Sequence, residues 1–165
     1  MLTDDDALAH KVRSLCVIER FSARLDRMQS AFLAVKLPQL LTFIAARTVV
    51  AVAYSRALSG LSWLRLPVAP AGTEPSWQLY VVRCDHRDQL RAHLLACGVE
   101  CLLPSPLLHL QHEFRSLGFE LGSFPVAERL ASTALSLPIA SMTEQQVQSV
   151  IEAVRGFPTS SHWPK

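Results

Sequence analysis

Four residues invite a metal-site reading: Cys97 and Cys101 are spaced Cys-x3-Cys, and His109 and His112 are spaced His-x2-His. Paired thiolates and imidazoles are the donors that zinc takes. The spacing argues against it. Only the seven residues LLPSPLL, nearly all apolar, separate Cys101 from His109, and the local pattern puts Cys97 in a helix and Cys101 in a strand. Buried structural cysteines and no metal are the expectation. His109, at the end of GVECLLPSPLLH, reads as the residue that follows a prolyl turn.

Covalent chemistry leaves few openings. Serine, cysteine, histidine and carboxylates are all present, but the chain has no GxSxG elbow, no GxGxxG and no GxxxxGK[ST] phosphate loop. A Schiff-base catalyst would have to be Lys11, Lys36 or Lys165, the only lysines. The first two read as polar-face helix residues and the third closes the chain.

The elements that must position these residues follow from pattern. Thr3 and the aspartates at 4–6 suit a helix start, with an apolar stripe of Ala7, Leu8, Val12 and Leu15. From Ala23 the spacing of Leu25, Met28, Phe32 and Val35 is helical; Pro38 biases Leu37 away from αR, so two helices should meet there, the second ending at Gly60. Residues 61–76 hold three prolines and a glycine and read as a connector around one short strand, WLRLPV. Beyond it the texture changes to short alternating elements. WQLYVVR is predicted as a strand, 87–96 as a helix capped by Asp85, and VECLL as a strand. A short helix around 112–116, a helix started by Ser123 and Pro125, a strand LSLPI, and a last helix to Arg155 behind a Thr143/Gln146 capping box complete the order. The tail PTSSHWPK reads as loose.

Composition limits the function classes. Of 165 residues, 50% are hydrophobic and 18% charged, so either the core is large or apolar surface awaits a partner. Net charge is +2 with scattered basic residues, which gives no nucleic-acid footprint. Four cysteines and the acidic opening MLTDDD fit the cytoplasm rather than secretion. The stretch at 40–58 has nearly the length of a membrane span but carries Arg47 and Arg56; a buried or interface helix is expected, and no membrane.

Several motifs then agree in order. WQLYVVR, RDQLRAHLLACGVE, PLLHLQHEF, FPVAER, LSLPI and MTEQQVQSVIEAV, preceded by FSARLDRMQSAFLAVKLPQL, resemble the C-terminal part of the DegT/DnrJ/StrS-type sugar aminotransferases, over about residues 2–157. The resemblance implies an α/β (α+β) fragment of the fold-type I class: residues 1–60 as the helical tail of the large domain, 61–76 as connector, 77–157 as the small domain and 158–165 as tail. It implies a homodimer that uses pyridoxal 5'-phosphate (PLP) to move an amino group from an amino-acid donor, usually glutamate, to a nucleotide-linked keto sugar. The family's Schiff-base lysine lies upstream of the stretch matched by Met1, so a truncated chain, inactive alone, is expected. A non-catalytic dimerisation or interaction module is the alternative.

Departures from the family pattern mark the site residues. In the family's NsRL motif the asparagine that reaches the neighbouring subunit's cofactor phosphate aligns with Ser22, and the arginine with Arg24. The histidine of the family's HLY strand is replaced by Gln78, and a histidine and aromatic at the active-site mouth by Pro104 and Ser105; a second histidine survives as His109. The resemblance thus gives Ser22 a cofactor-phosphate role and Arg24 and His109 substrate-side roles.

Overall fold

The structure, a computed structural model, describes residues 4–15, 26–104 and 106–158. The expected Thr3 cap, Ser22, Arg24, Ser105 and most of the tail lie outside the described residues. The chain divides into two compact units, residues 1–41 and 42–165.

In the first unit, helix α1 spans Asp6–Leu15, with Asp5 Oδ1 accepting from the Leu8 N–H at 3.0 Å. Helix α2 (Arg27–Lys36) starts behind a capping box formed by Asp26 and Gln29. Its apolar stripe is exposed: Met28, Phe32 and Val35 stand 66, 62 and 69% accessible. Leu37 is αR (φ −56°, ψ −42°), against the expected pre-proline bias. The chain accommodates Pro38 by tightening residues Leu37–Gln39 into one 3-10 turn, after which helix α3 (Leu40–Leu58) begins. The run Arg27–Leu58 has the length and apolar composition of a membrane span, but its Val50, Ala51, Tyr54 and Leu58 are buried.

The second unit is built on a two-stranded antiparallel sheet, β1 (Tyr80–Arg83) and β2 (Ala134–Leu137), in the register Tyr80↔Leu137 to Arg83↔Ala134. Its core gathers Tyr54 and Leu58 of α3, Tyr80 and Val82 of β1, Leu135 and Leu137 of β2, Leu90 and Leu94 of α4 (Arg87–Ala96), and Val154 of α6 (Glu144–Arg155). Tyr54, wholly inaccessible, donates its hydroxyl to the Pro138 carbonyl at 2.8 Å. Burial first, then the Cys101 and Tyr80 groups, push its pKa up, so it stays a neutral donor. Arg155 closes the other end, donating to the Ala57 carbonyl from Nη2 at 2.6 Å and satisfying one of the acceptors left at the end of α3.

Several expected elements are shorter or differ in partner. WLRLPV is no strand; it contributes one antiparallel bridge, Arg65↔Arg83. VECLL likewise contributes only Leu102↔Ser136, so this segment joins β2 and not β1, its neighbour in the sequence. The strand in WQLYVVR starts only at Tyr80, because Trp77 at φ +48° breaks the extension. His86, not Asp85, occupies the cap position of α4, and no side chain caps that helix. Gly98, at φ +77°, ends α4 by releasing the Val99 N–H to the Leu94 carbonyl. The last capping box, Thr143 with Gln146, forms as expected.

Candidate functional site

His109 is positioned by two short turns. After Pro104 and Pro106 the chain makes a 3-10 turn at Leu108–Leu110, which turns the imidazole inward to 8% exposure. A second 3-10 segment, His112–Leu117, ends on Gly118 at φ 71°, and the chain returns to begin helix α5 (Pro125–Thr133). Pro125 opens that helix, its fixed φ suiting the first turn. Ser123 does not cap: its hydroxyl accepts from the Glu120 N–H at 3.0 Å.

The carboxylate that organises this corner is Glu128, in the first turn of α5. It accepts from the Gly122 N–H at 2.8 and 3.0 Å and from the Phe124 N–H at 3.2 Å, and it lies 3.2 Å from His109 Nε2. Desolvation pushes the Glu128 carboxyl up; the Phe124 and Gly122 N–H groups and His109 outweigh it, so the carboxyl titrates below its ordinary value. An ionised carboxylate only accepts, so Nε2 of His109 is the donor in this pair. The Phe124 ring meets the imidazole edge-on, with centroids 5.0 Å apart. Arg87 anchors the far end of α5, donating from Nη1 to the Ala131 and Ala134 carbonyls at 3.0 and 3.3 Å.

Beside His109 opens a hollow of about 620 Å³, walled by residues such as Leu108, Phe114, Phe119, Phe124 and Leu130, and also by Pro104. His109 is the one polar side chain among its described lining residues. One oriented imidazole in an apolar recess can bind and align a polar ligand group, and among the described lining residues no nucleophile stands beside it. Against the expectation of buried cysteines, Cys97 is exposed and Cys101 only half-buried, while Cys84 is buried. Burial raises the Cys84 thiol and, against the partial opposition of Arg91, pushes Cys101 up to about 11, so both are poor nucleophiles. Among the described residues, no three His, Cys, Asp or Glu side chains gather to hold a metal.

The structure places one of the three expected site residues, His109; Ser22 and Arg24 lie outside the described residues. Lys11 and Lys36 are exposed on α1 and α2, and Lys165 lies outside the described residues. Glu128 was missed as a functional residue. Its signal was an acidic residue soon after a helix-opening proline, in FPVAER, where a carboxylate reaches back to free N–H groups.

The profile of the DegT/DnrJ/EryC1/StrS aminotransferase family matches residues 1–155. The chain is 39% identical over 151 residues to the erythromycin biosynthesis sensory transduction protein EryC1 of Saccharopolyspora erythraea, covering 84% of this chain and 41% of that protein. It is 36% identical to the dTDP-3-amino-3,4,6-trideoxy-alpha-D-glucose transaminase of Streptomyces venezuelae, covering 94% of this chain and 44% of that enzyme. The crystal structure of S. venezuelae DesV superposes with a TM-score of 0.80 at 36% identity, over 93% of this chain and 45% of DesV. The chain thus spans less than half the length of these relatives.

Proposed function

The chain belongs to the DegT/DnrJ/EryC1/StrS aminotransferase family, and from that premise we propose that it is the C-terminal part of a PLP-dependent transaminase acting on nucleotide-linked keto sugars in the cytoplasm. The match along residues 1–155 carries this reading. Residues 1–60 then belong to the end of the large domain and 77–157 to the small domain. PLP, when bound, supplies the electron sink for amino transfer. This chain's share is on the substrate side. Glu128 holds the His109 ring by one nitrogen and leaves the other to meet a polar group of the sugar nucleotide. Arg24 adds a cation for the same ligand, and Ser22 reaches the cofactor phosphate of a second subunit in a homodimer. An amino-acid donor completes the exchange.

Residues 1–165 supply no Schiff-base lysine in this reading. Incubating the purified chain with PLP, reducing with borohydride and digesting should give no stoichiometric pyridoxyl-lysine peptide. A single modified lysine at one equivalent, Lys11, Lys36 or Lys165, would overturn the assignment.

The exposed apolar stripe of α2 favours a second reading, a non-catalytic module that associates through that helix. It predicts self-association without any cofactor.

A further inference from the structure

On another face of α5 from His109, three arginines converge. Arg65 and Arg83 are direct partners in an antiparallel bridge that exchanges both N–H···O bonds at 2.9 Å, so their side chains leave the same face of the sheet. Like charges set opposite each other in a sheet repel. Arg129, from α5, lines the same depression of about 460 Å³, whose remaining lining is Pro125, Val126 and Leu130.

Among the described residues, no carboxylate forms an ion pair with any of the three. The ion pairs among the described residues are Arg87 with Asp88 and His109 with Glu128, and none of the three guanidiniums donates a hydrogen bond. One carboxylate, Asp85, lines the adjoining small hollow with the three arginines, without an ion pair to any of them. Three cations beside one anion, over an apolar floor, leave a local excess of positive charge that an anionic ligand would meet.

We propose that this depression binds a phosphate monoester with an apolar body. A monoester carries nearly two negative charges at neutral pH and three acceptor oxygens, which matches the charge left over. Guanidinium forks engage such oxygens bidentately. The body attached to the phosphate rests on Val126 and Leu130. Ala127 and Ala131 of α5 face the His109 hollow, whereas Val126 and Arg129 face this depression. The two sites share only Leu130 among their described lining, and this proposal does not depend on the transaminase reading.

The test is calorimetric titration of the 165-residue chain with phenyl phosphate, inorganic phosphate and phenol. Phenyl phosphate should bind saturably at one site, at least about threefold tighter than inorganic phosphate, and phenol should give no saturable heat. Arg65→Gln and Arg129→Gln, both at exposed positions, should each weaken phenyl phosphate about tenfold with unchanged melting. Arg27→Gln, on α2, should bind as the parent does. No saturable binding below about 10 mM, equal affinity for inorganic phosphate, or arginine variants that bind like the parent would each overturn the proposal.

Discussion

The imidazole of His109 is oriented by a carboxylate that is itself tied to two backbone N–H groups, so ring, loop and helix start are one hydrogen-bonded unit. Glu128→Gln keeps the shape and removes the charge, and its amide cannot accept in every direction the carboxylate did. We expect the Gly122 and Phe124 amides to exchange with deuterium about tenfold faster in this variant, with the rest of α5 little changed. The pH dependence has a definite sign. Because the folded carboxyl titrates below its ordinary value of 4.5, the stability it contributes is complete above that value and drains as pH falls through the lower folded one. His109 was legible in the sequence as the residue that follows a prolyl turn, but its burial was not. Glu128 was not, since its partner lies 19 residues away and only the returning loop brings them together.

Local rules served the elements well where the deciding contacts were local. The Thr143/Gln146 box needs only residues three apart, and the structure has it. The strands in WLRLPV and VECLL were overextended because apolar composition says that a segment is buried, not how many partners it finds. Each meets a single bridge. The tertiary contact of greatest leverage, the Tyr54 hydroxyl on the Pro138 carbonyl, had no local signature: it joins α3 to the end of β2 across the core. Tyr54→Phe should cost about 1–2 kcal/mol, because it strands a buried acceptor while keeping the ring, and this reads out as a lower urea midpoint at unchanged slope. A variant as stable as the parent would mean that water replaces the hydroxyl.

At the scale of the whole molecule, half the residues are hydrophobic, yet α2 shows its apolar stripe to solvent. An exposed stripe of this kind marks an association surface. Phe32→Glu should therefore shift the chain toward monomer in sedimentation velocity at tens of micromolar, whereas the exposed polar change Gln29→Glu should not. A parent chain that is already monomeric would remove the self-association reading and leave the family assignment in place. The long reach of the core contacts has a kinetic side as well. Tyr54 waits for a partner 84 residues downstream, and Arg155 reaches back 98 residues to Ala57. At about 5–20 residues per second, roughly 4–17 s pass in synthesis between Tyr54 and Pro138. Through that interval the inner face of α3, joined partway by strand β1, waits on the ribosome for the strand that completes the sheet.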